Sequence, residues 1–271
     1  MNPGLALDHL TVADTTPTEL VEAAAVAGAR AVCLFMEPMD VLPRMPTFAL
    51  YGDTPERRET RRRMDALGIG LDIAYPFTLA GRTEIECFVP ALETAAYLGA
   101  FAVNVLAYDR DAARRADKFG AFCALAASFG LATVVEFFPL SQVPSLGEAI
   151  ALVKETGGTA GVNVDLLHLM RSGGSIADLA AAPSELIRYG QFSDGPAALD
   201  PECWDFEASS QRLLPSEGAF DLAGFARALP CDCRTSVELP QESSLAAGVP
   251  VKERARAAID GVLNAICSDS R

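Results

Sequence analysis

Short apolar runs alternate with longer stretches whose apolar residues recur at helical spacing, and the alternation continues along the chain. Several of the runs are continuously apolar, which is typical of parallel strands buried on both faces. Alternating strands and helices of this kind predict an α/β fold. The predicted strands are Leu5–Leu10, Ala31–Met36, Gly70–Tyr75, Phe101–Leu106, Ala132–Phe137, Gly161–Asp165, Ile187–Phe192 and Thr235–Leu239.

Signals for helix starts and stops lie between these runs. Thr16 precedes Pro17, and Glu19 completes the pattern of a capping box. Thr54 stands before Pro55 in the same way. We expect several helices to end at a left-handed glycine that leads into the next strand. These glycines are Gly28, Gly68, Gly99 and Gly130.

The number of repeated units favours a closed barrel over an open sheet. Eight strand–helix units use about 250 residues in a TIM barrel, and this chain has 271. No G-x-G-x-x-G motif follows the first predicted strand, which argues against a dinucleotide-binding fold. No linker rich in Pro, Gly or Ser divides the sequence. We therefore predict a (β/α)8 TIM barrel in which residues 1–271 form a single domain.

Composition narrows the expected partners and location. The chain carries 22 basic and 36 acidic residues, and a net charge of -14 would repel a phosphate backbone. No apolar run reaches the roughly 20 residues that cross a membrane, and the first residues do not resemble a secretion signal. The seven cysteines show no repeated spacing and are expected to be reduced thiols. We predict a cytoplasmic protein that binds a small molecule, with no nucleic acid or membrane partner, and a homo-oligomer stays open.

The scarcity of two residue types excludes several kinds of catalysis. The three lysines lie in segments with a helical pattern, away from strand ends, which argues against Schiff-base chemistry. The two histidines, His9 and His168, are too few for a histidine-rich zinc cluster. No G-x-S-x-G motif is present, which argues against a serine hydrolase of the α/β type.

Side chains with polar oxygens lie at the ends of the last four predicted strands. The carboxyl ends of barrel strands face one mouth, where active sites form. Three carboxylates brought together repel one another unless they are protonated or share a cation. Hard oxygen ligands suit Mn²⁺ or Mg²⁺ better than Zn²⁺, so we predict one divalent ion of this kind. The predicted ligands are Glu136, Asp165, Gln191 and Glu238.

Two further residues follow the predicted ligands closely. His168 lies three residues beyond Asp165 and is predicted to act as a general acid or as a donor to a substrate oxygen. Asp194 lies three residues beyond Gln191 and is predicted to contact substrate, a metal-bound water or His168. A histidine satisfied within its loop and a carboxylate that caps a turn are the structural alternatives.

Three more side chains are predicted to contact the substrate. Arg212 lies in a segment, 195–218, that the sequence predicts to be a long functional loop. A guanidinium over a barrel mouth is suited to a carboxylate or phosphate, which favours an anionic substrate; a surface salt bridge is the alternative. Arg82, after the third predicted strand, and His9, at the end of the first, are weaker candidates.

The sequence resembles the xylose isomerase-like TIM-barrel superfamily, which includes sugar phosphate isomerases and epimerases. The superfamily pattern is a Glu on strand five, D-x-x-H on strand six, H-x-x-D or an equivalent on strand seven and a Glu on strand eight. The matching residues are Glu136, Asp165 with His168, Gln191 with Asp194, and Glu238. A Gln at position 191, where many members carry His, and the segment Arg212–Gly218 are similar to bacterial 3-dehydroshikimate dehydratases.

These observations lead to a hypothesis of metal-assisted enolisation, in which Glu136 or Glu238 removes a proton next to a carbonyl. Returning the proton elsewhere gives isomerisation or epimerisation, whereas loss of a β-hydroxyl with His168 as the acid gives dehydration. We predict an isomerase or epimerase acting on a sugar, sugar phosphate or keto acid. The alternatives are a dehydratase or lyase, a non-catalytic sugar-binding barrel and, least favoured by the acidic charge, a metal-dependent nuclease.

Overall fold

Eight parallel strands form the centre of the molecule, and each pairs with the next. The computed structural model describes residues 4–268. The first strand also pairs with the last, so the sheet closes and confirms the predicted (β/α)8 barrel. The strands are β1 (Ala6–Asp8), β2 (Ala31–Phe35), β3 (Gly70–Leu79), β4 (Ala100–Ala107), β5 (Ala132–Glu136), β6 (Ala160–Asp165), β7 (Ile187–Phe192) and β8 (Arg234–Val237).

Helices alternate with these strands. The chain also forms short 3-10 turns at His9–Val12, Ile85–Phe88, Ser184–Leu186 and Pro201–Cys203. The α-helices are α1 (Pro17–Ala27), α2 (Pro55–Leu67), α3 (Val89–Leu98), α4 (Ala112–Ser128), α5 (Leu146–Glu155), α6 (Leu166–Arg171), α7 (Ile176–Ala181), α8 (Trp204–Ser209), α9 (Leu222–Ala228), α10 (Glu242–Ala246) and α11 (Val251–Ser268).

The helix boundaries follow the predicted capping signals. The Thr16 side chain accepts from the backbone N–H of Glu19, and the Glu19 carboxylate accepts from the backbone N–H of Thr16 at 2.8 Å. The Thr54 hydroxyl caps α2 by accepting from the backbone N–H of Arg57 at 3.1 Å. The four glycines predicted to be left-handed have φ values from 67° to 80°. Local sequence therefore determines several of the points where helices begin and end.

The carboxyl ends of β1 and β3 differ from their predicted positions for local structural reasons. β1 ends at Asp8 rather than Leu10, because the chain turns into a 3-10 helix in which the Asp8 side chain accepts from Leu10 N–H at 2.9 Å. β3 continues past Tyr75 to Leu79 although Pro76 cannot donate a backbone hydrogen bond. The pairing register with β4 shifts between Ala74 and Phe77, so the proline falls where the ladder is already irregular.

The long segment between β7 and β8 is more ordered than its sequence predicts. Residues 195–218, predicted to be a long loop, contain the 3-10 turn Pro201–Cys203 and helix α8. Asp200 begins this structure by accepting from the N–H of Glu202 at 3.0 Å. The segment therefore positions its side chains from a helix as well as from a loop.

The two ends of the barrel differ in chemistry. At the amino end of the strands, the buried carboxylate of Asp72 on β3 binds Arg30 at 2.8 Å and Arg234 at 2.9 Å. Tyr189 on β7 donates to the same carboxylate at 3.2 Å. The carboxyl ends of the strands open into a cavity, described below. Across the described part of the chain, no helix has the length and apolarity needed to cross a bilayer.

Candidate active site

A cavity of about 240 Å³ lies at the carboxyl ends of the strands. Its wall is largely apolar, and its polar groups come from strand ends and from α8. The apolar residues include Leu10, Phe35, Met39, Val41, Leu42, Leu106 and Phe138. The polar residues include Asn104, Tyr108, Glu136, His168, Asp205, Arg212 and Glu238. Four residues predicted to carry the chemistry or bind substrate therefore face one cavity.

The predicted ligands on β5 and β6 lie together with the predicted acid. Glu136, Asp165 and His168 each offer an atom, and these atoms lie within 4.8 Å of one another. His168 Nε2 is 3.4 Å from Glu136 Oε1 and 3.9 Å from Asp165 Oδ2. Asn104 on β4 donates to the other oxygen of Glu136 at 2.5 Å. The ends of β5 and β6 and the first turn of α6 thus bring these three groups close enough to share one ion.

Asp165 is positioned by the transition from β6 to α6. Its Oδ1 accepts from the backbone N–H of Leu167 at 2.7 Å and from the Ser193 hydroxyl at 3.1 Å. Since Asp165 is both the last strand residue and the helix N-cap, its carboxylate has little freedom to turn. Its Oδ2 is left to face His168 and Arg212.

Arg212 lies between two of the predicted ligands. Its Nη1 donates to Asp165 Oδ2 at 2.7 Å, and its Nη2 lies 2.9 Å from Glu238 Oε2 in an ion pair that lacks hydrogen-bond geometry. The side chain is 1% exposed, and its Nη2 also donates to the carbonyl of Ala208 at 3.0 Å, so it is shielded from solvent. The surface salt bridge considered from the sequence is wrong, because the guanidinium is buried against carboxylates of the barrel.

The two carboxylates beside Arg212 have opposite pKa shifts. Burial would raise the pKa of Asp165, but the nearby Arg212 and His168 outweigh burial and hold that pKa below its ordinary value. Burial raises the pKa of Glu238 well above its ordinary value, and the neighbouring Asp8, Asp165 and Glu136 raise it further against the effect of Arg212. Asp165 is therefore the more acidic of the two carboxyl groups.

Gln191 is buried beneath the cavity and is hydrogen-bonded on both sides. Its Oε1 accepts from Asn163 Nδ2 at 2.5 Å, and its Nε2 donates to Asp8 Oδ2 at 3.4 Å. It pairs in register with Asp165 on the neighbouring strand. Gln191 and Asp165 are therefore at the same level of the barrel.

Asp8 is a site residue that the sequence analysis missed. It is 1% exposed at the end of β1, and Tyr75 donates a hydrogen bond to its Oδ1. Burial raises the pKa of Asp8 to about 7, and Glu136 contributes in the same direction. The signal was present in the sequence, because Asp8 is a carboxylate at a strand end like those of the later strands. Extending the same reasoning to the first strand would have found it.

His9 does not reach the cavity, which corrects its predicted contact with substrate. Its Nε2 lies 2.9 Å from the carbonyl of Thr15, and its ring packs against Phe35 and Phe48. Because β1 has already ended at Asp8, the backbone turn carries His9 away from the mouth. Burial lowers the pKa of His9 to about 4, so it is a neutral packing residue at neutral pH.

Asp194 and Arg82 also lie away from the proposed chemistry. The Asp194 carboxylate accepts from the backbone N–H groups of Gly195, Ser216, Gly218 and Phe220 at 2.8 to 3.1 Å. These bonds use its oxygens to shape the long loop, so the predicted contact with His168 or substrate is replaced by the turn-forming alternative. Arg82 lies exposed in the turn after β3 and is not among the residues that line the cavity.

The side chains around this cluster fit a divalent metal ion. The set contains carboxylates from β5, β6 and the end of β8, an amide oxygen and an imidazole, which are donors that divalent ions accept. His168 Nδ1 and Glu238 Oε2 are buried without a hydrogen-bond partner among the described residues. Glu238 lies outside the 4.8 Å group of Glu136, Asp165 and His168, but it shares the Arg212 guanidinium with Asp165.

The sequence also matches a known protein family. The family model described as Xylose isomerase-like TIM barrel matches residues 21–264. This chain therefore belongs to the xylose isomerase-like TIM barrel family, as its motifs predict. Among curated proteins, none matches the sequence significantly.

Solved structures share the fold at low sequence identity. A fusion protein of a xylose isomerase-like TIM barrel and a 4-hydroxyphenylpyruvate dioxygenase is 20% identical, with a TM-score of 0.79; the match covers 98% of this chain and 43% of that one. This chain thus spans less than half of the fusion protein. IolI, solved with a bound zinc atom, is 19% identical over 98% of both chains, with a TM-score of 0.76. The probable 3-DHS dehydratase AsbF from Bacillus anthracis is 14% identical, with a TM-score of 0.75, over 96% of this chain and 99% of that one.

Proposed function

We propose that this protein is a divalent-metal-dependent isomerase or epimerase that removes a proton next to the carbonyl of a small hydroxy-carbonyl compound. The grouping of Glu136, Asp165 and His168 within 4.8 Å at the barrel mouth carries the proposal. Membership of the xylose isomerase-like family and the zinc found in IolI support a metal at this place. The oxygen-rich donor set favours Mn²⁺ or Mg²⁺.

The proposed ligands are Glu136, Asp165, Gln191 and Glu238. When bound there, the ion polarises a carbonyl and stabilises negative charge on its oxygen. Glu136 and Glu238 both face the cavity, and either carboxylate can take the proton from the adjacent carbon. Asn104 holds Glu136 through one oxygen, which leaves the oxygen near His168 as the one that can accept a proton.

His168 is the proposed acid. Its Nε2 faces Glu136 and Asp165, and its ring packs on Phe138 with centroids 4.9 Å apart. An imidazole beside two carboxylates can pass a proton to a substrate oxygen, and the packing fixes the ring relative to the cavity. Apolar side chains around it exclude water from the proton transfer.

Dehydration is the second candidate reaction. The Gln at position 191 and the fold shared with the probable 3-DHS dehydratase AsbF favour it. It uses the same first step, after which His168 gives its proton to a departing β-hydroxyl instead of to the retained substrate oxygen. The proposal does not require an anionic substrate, because Arg212 already pairs with Asp165 and Glu238.

Exchange of substrate protons in D₂O tests the proposal. With Mn²⁺ or Mg²⁺ present, the protein would be incubated with keto-sugars, inosose-type compounds and 3-dehydroshikimate. We expect deuterium at the carbon next to a carbonyl, with an isomer or a dehydrated product. Glu136→Gln and Glu238→Gln should each lower turnover at least 100-fold, as removal of a general base does, whereas the exposed Glu155→Gln should keep it.

Retained turnover in a site variant would contradict the role given to that glutamate. No exchange with any of these compounds, despite bound metal, would favour the non-catalytic sugar-binding barrel.

A further inference from the structure

Two hydrogen bonds set the orientation of the Gln191 side-chain amide. On one side Asn163 Nδ2 donates to Gln191 Oε1 at 2.5 Å, and on the other Asp8 Oδ2 accepts from Gln191 Nε2 at 3.4 Å. A donor and an acceptor on opposite sides of one amide favour the same orientation. The two residues come from different strands, β6 and β1, so Gln191 on β7 is held across the barrel.

Orientation matters because the two ends of a glutamine amide have the same shape but different chemistry. Only the carbonyl oxygen can ligate a cation, whereas the NH₂ group would turn hydrogens toward it. The oxygen has two lone pairs, and Asn163 uses one of them. A rotated amide would place its oxygen against the carboxylate of Asp8, which opposes it. It would keep a hydrogen bond to Asn163 only if the amide of Asn163 also turned over.

Burying the polar side chains of Asp8 and Asn163 lowers the stability of the folded protein. Asp8 is a carboxylate with 1% exposure that is held by Tyr75 and the backbone of Leu10. Asn163 is completely buried, and its Oδ1 has no hydrogen-bond partner among the described residues. An unsatisfied buried polar atom costs about 1–3 kcal/mol. An apolar side chain would avoid that cost, so a role beyond packing accounts better for Asn163.

We propose that Asp8 and Asn163 are positioning residues that hold the Gln191 carbonyl oxygen available for the divalent ion. The inference rests on the proposed function, in which Gln191 is a metal ligand. Neither residue needs to touch the ion or the substrate. Tyr75 supports the arrangement indirectly, because its hydroxyl fixes the carboxylate of Asp8.

Titration of the metal-free protein with Mn²⁺ by calorimetry tests this inference without any substrate. Changes to residues that orient metal ligands typically weaken metal affinity 10–100-fold. We therefore expect Asp8→Asn and Asn163→Leu to weaken Mn²⁺ binding within that range. Asn at position 8 can present either NH₂ or oxygen to Gln191, so it no longer selects one orientation. Tyr75→Phe, which keeps the Asp8 carboxylate, should give a smaller loss and serves if either variant fails to fold.

Asp72→Asn is the matched control. Asp72 is also a buried barrel carboxylate, but it binds Arg30 and Arg234 at the opposite end of the strands. The Asp72→Asn substitution should leave the affinity for Mn²⁺ unchanged even if it lowers the stability of the protein. The visible spectrum of bound Co²⁺ gives a second readout, because loss of an oxygen ligand changes band positions and intensities, whereas a purely structural defect does not.

The outcomes separate this inference from the proposed function. Tight Mn²⁺ binding by the wild type with equal affinity in Asp8→Asn and Asn163→Leu would overturn the positioning role and leave the metal site standing. Equal losses of Mn²⁺ affinity in these variants and in Asp72→Asn would show a general effect of lowered stability. That result would also overturn the positioning role. If the wild type binds no Mn²⁺, the proposed function fails and this inference fails with it.

Discussion

Single side chains at strand ends carry most of the functional argument, and the sequence identified several of them. Glu136 and Glu238 face the cavity, because continuous apolar runs show where buried strands stop. His168, three residues beyond a strand end, and Arg212, in the long segment, face it too. The first strand shows the limit of this reasoning, because His9 was predicted to be a site residue and Asp8 was missed. The first strand ends two residues earlier than predicted because of a local 3-10 turn, which apolar periodicity does not reveal.

The neutral state of His9 predicts a pH dependence of stability. Its pKa is about 4 in the folded protein, against an ordinary value of 6.5, so the unfolded chain binds a proton first as pH falls. The neutral, buried His9 therefore adds to the free energy of unfolding. Its contribution, about 3 kcal/mol in total, is complete above pH 6.5 and is lost as the pH falls from 6.5 to 4. Urea unfolding at several pH values should show a smaller decline over this range for His9→Gln than for the wild type. Parallel declines would contradict the assignment.

At the scale of elements, the connection between β7 and β8 shows what the sequence could not provide. Its length indicated a functional loop, but the sequence did not reveal that Asp194 would bind four of its backbone N–H groups. Nor did it reveal that Arg212 would be buried between Asp165 and Glu238. Both depend on contacts between residues distant in the chain, which no local pattern encodes.

Close packing at Gly218 makes this connection sensitive to a single methyl group. A Cβ there would overlap the carboxylate of Asp194 and approach the carbonyl of Gly195. We expect Gly218→Ala to destabilise the protein by about 2 kcal/mol, as overpacking typically does, and to lower turnover by displacing the loop that carries Arg212. Gly120→Ala is the control, because a Cβ in α4 meets nothing within 4 Å. It should stabilise by up to about 1 kcal/mol; similar unfolding midpoints for the two variants would contradict this explanation.

In the whole molecule, the ion pairs that stabilise the barrel lie at the opposite end from the candidate active site. The ion pairs of Asp72 with Arg30 and Arg234 close the amino end, whereas the cavity and its carboxylates occupy the carboxyl end. The sequence predicted the barrel well, because eight repeated units and their apolar strands specify it. It did not predict the Asp72 network, since those residues come from three separate strands or their approaches.

This separation predicts that stability and activity can be changed independently. Asp72→Asn should lower the free energy of unfolding by about 2 kcal/mol, because hydrogen bonds to two guanidinium groups are weakened. Turnover below the unfolding transition should stay at the wild-type level. Chemical denaturation and an activity measurement on the same sample check both parts, and a large loss of turnover in the folded variant would show that the two ends are coupled.

We propose above all that Glu136, Asp165, Gln191 and Glu238 hold one divalent ion at the mouth of the barrel. Calorimetric titration of metal-free protein with Mn²⁺ tests this most directly, with Asp165→Asn beside the wild type. We predict one ion per chain for the wild type and an affinity at least 100-fold lower for Asp165→Asn, since a ligand and its charge are removed. Absence of binding by the wild type, or the same affinity in both proteins, would contradict the account.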